Sequence, residues 1–420
     1  MYDLKCAYFD LDSFFASVEE KHRGLRGVPL VVGGSAERRG AVTSANREAR
    51  KLGVRAGESI AQIERRWGGR IKVCPVRFEL YSDESEHVME VLRSSGVSMH
   101  QSSIDEASLD LSGVRDSIGG AWQGVRFSER LRREVYQTCG LSISVGVSRG
   151  RVSAKMAVEE AKPDGLRAVG GDEFANWWSQ KQLREIPGVG PHAQGDLARR
   201  GFYTIEDVMN SERRSIEKVL GVSRGGWLWD VCHGDGDTPT SGTDVAKTRS
   251  VSAEHTLLED ARSVAELSDV LDRLSADVSG RLLEQGEYAR GVRIVLRDRT
   301  GRTVSRQRRV SAVREYPLMR AVVAELAEEL WGARTDAVRL VGVGAYDLTT
   351  MRELTLFDDL EGEREELQSA PYAEAARVGE LWTHPVFGEG LVVRVEEQTL
   401  VVAFPDGRRH IDLGVLRTEQ

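Results

Sequence analysis

At 420 residues, 40% hydrophobic and 30% charged, the chain is long enough for several domains and too apolar for a disordered one. No run approaches the roughly 18 uninterrupted apolar residues of a membrane helix. The start, Met1-Tyr2-Asp3-Leu4-Lys5, lacks the order of a secretory leader, so a cytosolic (bacterial cytoplasm) protein without a membrane partner is expected. Four scattered cysteines and eight histidines without ligand spacing argue against a disulfide frame or a zinc site. The formal charge of −8 disfavours a uniformly basic nucleic-acid binder, yet it hides a local excess. Over 287–314, nine arginines (290, 293, 297, 299, 302, 306, 308, 309, 314) stand against Glu287 and Asp298. Such a run is either a solvated sheet face or a phosphate-binding surface, and its arrangement favours the second.

The first element is a mostly apolar run at 5–11 that reads as a buried strand ending near Asp10. A helix from Ser13 to about His22 follows, with a capping-box pattern in Ser17-Val18-Glu19-Glu20. A strand at 29–32 stops at Gly33-Gly34, and helices are expected over 44–53 and 58–67. Residues 78–170 alternate strands and helices, including strands at 107–111 and 141–147. From 172 to 236 the pattern is helical, broken at Pro187-Gly188-Val189-Gly190. Residues 235–246 have linker composition. The order after them is β-α-β-β-α-β: a strand at 248–257, a helix at 261–285, strands at 290–298 and 302–312, a helix at 316–331 and a strand at 337–347. In the strand 290–298, Val292, Ile294 and Leu296 alternate with Arg293, Val295 and Arg297, so one face can pack while the other meets phosphates. An acidic stretch at 353–370 precedes four or five short strands at 376–416, which suggest a small barrel. The fold class is α+β multidomain.

Chemistry is concentrated in a few acids. Asp10 ends an apolar strand, and Asp105-Glu106 adjoin another in Ser103-Ile104-Asp105-Glu106-Ala107. Two Mg²⁺ ions about 4 Å apart can activate a primer hydroxyl and neutralise a leaving pyrophosphate, and they need a few hard carboxylates. A bare Asp-Glu pair reads first as a surface turn paired with basic residues. Its neighbours change that reading.

Phe9-Asp10-Leu11-Asp12-Ser13-Phe14-Phe15-Ala16-Ser17-Val18-Glu19 and Ser103-Ile104-Asp105-Glu106-Ala107 resemble the first two motifs of the Y-family, lesion-bypass DNA polymerases, in their bacterial polymerase IV branch. Residues 41–51, Ala161-Lys162-Pro163-Asp164-Gly165 and 186–190 match in order and spacing, and the resemblance covers about 3–350. It implies a right-hand polymerase: palm from 1–14 and 78–170, fingers from 15–77, thumb from 171–236 with a helix–hairpin–helix, a linker at 237–245 and a little finger from 246–349. An acidic linker at 350–373 and a Tudor-like (SH3-like) barrel at 374–420 complete the chain. The implied activity is low-fidelity, template-directed addition of dNTPs to primer-template DNA, that is, translesion synthesis.

The implied roles follow position by position. Asp10, Asp105, Glu106 and the Leu11 carbonyl hold two Mg²⁺ ions, with Mn²⁺ as an open substitute, and Asp105 and Glu106 are the catalytic pair. Asp12 is not a ligand. Phe15 is the steric gate against ribonucleotides, although from periodicity alone it is as much a core ring as Phe14. Ser44, Arg47 and Arg50, at helical spacing on one side of the 44–53 helix, would hold the triphosphate with Lys162. Tyrosine is usual where Arg47 stands, threonine at Ser44 and an aromatic at Ser108. Glu353-Leu354-Thr355-Leu356-Phe357 resembles a sliding-clamp peptide whose first residue is usually glutamine, with Leu354, Leu356 and Phe357 as contacts. Residues 376–416 resemble a module that contacts RNA polymerase in some repair helicases. The rival reading is a non-catalytic relative that only scaffolds DNA repair; such a protein is expected to have lost metal acids that are all present here. A nuclease would leave the gate and triphosphate positions without a purpose, and no GxxxxGK[ST] loop supports ATP-driven work.

Overall fold

The computed structural model describes residues 4–34, 39–114, 122–234, 250–331 and 337–350. In the tail it describes 379, 381–384, 388–395, 399–404 and 407–412. The linker expected at 237–245 and the clamp-like peptide at 353–357 lie outside these residues. The chain forms two compact units, Met1–Asp244 and Val245–Gln420. Among the described residues no helix is long and apolar enough to cross a membrane. The four cysteines are buried thiols.

The first unit is built on a sheet of order β5-β6-β1-β7-β8. Its central strand β1 (Cys6–Leu11) pairs antiparallel with β6 (Glu106–Asp110) and β7 (Ile143–Ser148). Strands β5 (Met99–Gln101) and β8 (Leu166–Ala168) lie at the edges, β8 parallel to β7. Side chains alternate across a strand, so one face carries Ala7, Phe9, Leu11, Ala107, Leu109, Val145 and Val147. These pack on helices α4 (Phe78–Ser94) and α5 (Gln123–Cys139) through Tyr81, Met89, Leu92, Leu131 and Val135. The opposite face bears Cys6, Tyr8 and Asp10 and lies under α6 (Arg151–Ala161), whose Ala154 and Val158 meet Cys6 and Tyr8. Gly146 makes that approach feasible: a Cβ there would stand 2.0 Å from the Ala154 carbonyl oxygen and 2.4 Å from the Val158 nitrogen.

Helix α1 (Phe14–Arg23) leaves β1 through Ser13, which sits at φ 48°. The capping box expected at Ser17 is not the helix start; Ser17 is inside the first turn and its hydroxyl donates to the Asp12 carbonyl at 2.6 Å. A small sheet of order β3-β2-β4 follows, from β2 (Leu30–Gly33), β3 (Val42–Ala45) and β4 (Lys72–Cys74). The single helix expected over 44–53 is instead strand β3 followed by the short α2 (Arg47–Lys51). Asn46 divides them, accepting from the Ala49 N–H at 2.9 Å as an N-cap while also accepting from Leu30 N–H at 3.0 Å. Helix α3 (Ile60–Trp67) covers this sheet with Ile60 and Ile63. Five helices end the described part of the unit: α7 (Gly171–Ser179), α8 (Pro191–Ala198), α9 (Ile205–Met209), α10 (Arg213–Leu220) and α11 (Val222–His233). Before α8, Gly188 turns the chain at φ 99° against the Trp227 ring, and Gly190 caps α8 with Pro191 in its first turn.

The second unit has the β-α-β-β-α-β order: β9 (Ser250–Ala261), α12 (Ser268–Glu284), β10 (Tyr288–Asp298), β11 (Thr303–Val313), α13 (Tyr316–Trp331) and β12 (Val338–Thr349). The sheet order is β11-β10-β12-β9, all antiparallel, with Val292, Ile294, Leu296, Val341 and Val343 packed on both helices. Four further strands, β13 (Leu381–His384), β14 (Gly388–Val395), β15 (Thr399–Phe404) and β16 (Gly407–Asp412), form an antiparallel sheet in chain order. Each pairs only with its neighbours in that order among the described residues, so the expected barrel is an open four-stranded sheet there. Leu391, Val393, Val401 and Ala403 of this sheet pack on Leu283 and Tyr316.

Candidate active site

The nine residues singled out in the sequence line one cleft of about 720 Å³. Its floor is set by strand register. Asp10 and Glu106 stand directly opposite each other on β1 and β6, and the Leu11 N–H donates to the Asp105 carbonyl at 3.0 Å. Directly opposed residues project to the same face, so the two carboxyls meet within hydrogen-bonding reach. Burial raises the Asp10 carboxyl to about 7 against the pull of Lys162, with the Glu106 charge adding to the rise. Burial also pushes Glu106 upward, but donors from Lys155 and Tyr8 outweigh it and leave Glu106 lowered.

Each acid has its own lysine, both supplied by α6. Lys162, the C-cap of that helix, reaches Asp10 Oδ2 at 2.8 Å and Glu159 at 2.7 Å. Lys155 Nζ lies 2.5 Å from Glu106 Oε2, and the Tyr8 hydroxyl donates to the same oxygen at 2.8 Å. Asp105 lines the cleft, yet its carboxylate accepts from the Ser103 hydroxyl at 2.6 Å. Among the described residues no three of His, Cys, Asp or Glu close on one point. The structure thus brings Asp10 and Glu106 together and leaves Asp105 beside them. This donor set is hard oxygen throughout, and two acids crowded together in a buried place are the electrostatics a hard divalent cation relieves. The site fits Mg²⁺ better than a softer metal.

Asp12 is occupied otherwise. Its oxygens accept from the Ser144 hydroxyl at 2.8 Å and the Asp164 N–H at 2.9 Å, which anchors the turn that follows Lys162.

The walls come from α1, β3 and α2. Phe14 is 3% exposed and belongs to the core, whereas Phe15 is half-buried and stacks on Tyr81 at 4.4 Å and 15°. That distinction between the two rings is invisible in helical periodicity. Tyr81 is held in turn: its hydroxyl donates to Glu19 at 2.8 Å, and Glu19 accepts from Arg77 at 2.8 Å and from Arg23. Although burial works the other way, the two arginines and the phenol hold the Glu19 carboxyl down at about 2.

Ser44 does not share a helix with Arg47 and Arg50. It lies on β3, donates to the Ser13 carbonyl at 3.2 Å, and so ties that strand to the first turn of α1. Arg47 and Arg50 are exposed on α2, with Arg50 Nε donating to Ala45 O at 2.9 Å. Ser108 is fully buried directly across from Tyr8, and its hydroxyl has no partner.

Sequence reasoning missed Tyr8, Lys155, Thr43 and Lys51. Thr43 and Lys51 join the cleft lining. Lys155 is seven residues, two helical turns, before Lys162, and that spacing was the available signal. Tyr8, two residues before Asp10 on one strand, was readable from alternation.

The arginine strands also sort by face. Arg306 and Arg308 lie on the helix side of β11 and pair with Glu325 and Glu329 of α13. Arg293, Arg297 and Arg309 lie on the other face, opposite the one that packs on the helices.

Residues 9–159 match the impB/mucB/samB family and residues 248–356 match its C-terminal domain. A DNA polymerase IV of Halorhodospira halophila is 33% identical over 362 residues, 85% of this chain and 99% of its own. One of Corynebacterium diphtheriae is 32% identical over 359 residues, 84% of this chain and 77% of its own. A Y-family DNA polymerase chimera of solved structure has a similar fold, with a TM-score of 0.74 at 24% identity over 82% of this chain and 99% of that one. An insertion ternary complex of Dbh DNA polymerase gives 0.54 at 24% identity over 81% and 98%. With both halves of the family matched in order and relatives aligned along most of their length, the chain belongs to the Y-family of DNA polymerases.

Proposed function

We propose that this chain extends a primer along damaged or distorted DNA by metal-dependent nucleotidyl transfer, as a translesion polymerase. The carrying observation is Asp10 facing Glu106 at the floor of a cleft whose walls hold Phe15, Arg47, Arg50 and Lys162. Asp10, Asp105, Glu106 and the Leu11 carbonyl would hold two Mg²⁺ ions, Asp105 exchanging the Ser103 hydroxyl for a cation. Bound there, the ions supply activation of the primer hydroxyl and charge neutralisation of the leaving pyrophosphate. Arg47 and Arg50 offer planar forks to phosphate oxygens, and Lys162 adds a point charge. Phe15, held flat by Tyr81, stands as the gate against a 2′-hydroxyl.

The domain reading assigns palm to 1–14 and 78–170, fingers to 15–77, thumb to 171–236 and little finger to 246–349. The hairpin before α8 would present backbone N–H groups to a DNA phosphate. Arg293, Arg297 and Arg309 would grip the backbone without reading sequence, which makes binding steeply salt-dependent. Residues 353–357 would bind the sliding clamp, and the tail strands, as part of a Tudor-like barrel, would contact RNA polymerase.

The test is primer extension with four dNTPs and Mg²⁺. Wild type extends, and Asp105→Ala/Glu106→Ala loses at least about a thousandfold in turnover. A folded, DNA-binding wild type that fails to extend with either Mg²⁺ or Mn²⁺ would falsify the reading.

A further inference from the structure

Two lysines of one helix meet two acids of one sheet face, and the triphosphate reading accounts only for Lys162. Lys155 lies two turns earlier, on the side of α6 that rests on the sheet. Its Nζ is 2.5 Å from Glu106 Oε2, 3.2 Å from the Tyr8 hydroxyl and 5.0 Å above the Tyr8 ring. Tyr8 donates to the same Glu106 oxygen at 2.8 Å. One oxygen of Glu106 therefore carries two donors, one of them charged, in a setting where both side chains keep less than a third of their surface. The strand register adds a reason for the phenol: Tyr8 faces the small, buried Ser108.

We propose that Lys155, supported by Tyr8, is a positioning residue for Glu106 that also sets how strongly the acid pair holds a divalent cation. This rests on the reading of Asp10 and Glu106 as metal acids. A lysine fixed on one carboxylate oxygen orients the other. Its positive charge next to the acid pair opposes a second cation and lowers metal affinity. Orientation and affinity thus move in opposite directions when the lysine is removed. A purely structural lysine would lower both.

Mn²⁺ titration followed by electron paramagnetic resonance, on the full-length protein without nucleotide, separates these cases. Lys155→Met removes the charge and the donor, while Lys155→Gln removes the charge and keeps a donor, guarding against a variant that does not fold. Both are expected to bind Mn²⁺ about tenfold more tightly, with kcat for primer extension down about tenfold and the dNTP KM unchanged. Lys155→Arg is expected to return both quantities to near wild type. Unchanged or weaker Mn²⁺ binding by Lys155→Gln with a wild-type melting point overturns the proposal. Glu106→Gln tests the underlying reading separately: if it leaves Mn²⁺ binding intact, the metal-acid assignment fails whatever Lys155 does.

Discussion

In the sheet built on β1 the charged side chains of the cleft lie beneath a helix, whereas in the β9–β12 sheet Arg293, Arg297 and Arg309 lie on the face turned away from the helices. The first sheet is covered on both faces, and its acids survive burial because α6 brings a lysine to each. The second has helices on one face only, and Arg293 needs no partner because water solvates it. Buried charge demands fixed geometry and shifts titration. Exposed charge demands neither, and it acts through salt-sensitive attraction. A reaction centre suits the first setting and a sliding grip the second.

That contrast breaks most visibly at glycine. In the covered sheet, Gly146→Ala drives a methyl into the backbone of α6, so the helix and both lysines must shift. The expected cost is about 3 kcal/mol in denaturant unfolding with more than a tenfold fall in extension rate. In the open sheet, a Cβ at Gly291 meets first the outer end of the Tyr346 ring. That ring can swing away, so Gly291→Ala should cost about 1 kcal/mol. Equal costs would erase the distinction between a face closed by backbone and one closed by a side chain.

Next in size is the Glu19 network behind Phe15. Glu19 is fully buried, while Arg23 and Arg77 remain 36% and 38% exposed. Glu19→Gln should therefore cost about 2 kcal/mol, below the usual range for a broken buried pair, and weaken discrimination against ribonucleotides through the Phe15–Tyr81 stack. The sign with pH is fixed by a depressed carboxyl, about 2 against an ordinary 4.5. Its stabilisation is complete above 4.5 and lost as pH falls toward 2. Thermal melts from pH 6 to pH 2 should show wild type and Glu19→Gln converging at the acid end; parallel curves would contradict the assignment.

The smallest effects belong to the exposed charges. Arg293→Ala/Arg297→Ala should weaken primer-template binding several-fold and reduce the salt slope by about two. Arg306→Ala, which removes a surface pair with Glu329, should leave the slope unchanged and shift stability by no more than about 0.5 kcal/mol. If Arg306 lowers the slope as much as Arg293, the division of the β10–β11 arginines between two faces has no bearing on DNA.

Much of this was legible in the sequence where local pattern and chemistry coincide. The strand ending at Asp10, the acids beside β6 and the β-α-β-β-α-β order all follow from runs, alternation and motif spacing. The errors arose where a local pattern has two solutions. Ser44, Arg47 and Arg50 satisfy helical spacing, but the β-branched Val42-Thr43 and the capping Asn46 put Ser44 on a strand. Ser17-Val18-Glu19-Glu20 satisfies a capping box, but the helix already begins at Phe14 and Glu20 is taken by the Asn46 side chain, 26 residues away. Lys155 and Tyr8 escaped because no single motif joins them to Glu106; the cross-strand register and the packing of α6 do. The arginine run counted nine charges without the parity that turns Arg306 and Arg308 toward α13.

The contact of the tail strands with Leu283 and Tyr316 has a mechanical consequence. Leu283 belongs to α12, whose other side rests on the β9–β12 sheet, so this helix is clasped between two sheets. Gly379 sits where any side chain would strike the Tyr316 ring, which pins the entrance of the tail at the same place. The tail is thus a handle riveted to the helix side of the β9–β12 unit, with the Arg293 and Arg297 face on the far side. Cargo hung from it would pull on α12 and leave the exposed arginine face unobstructed.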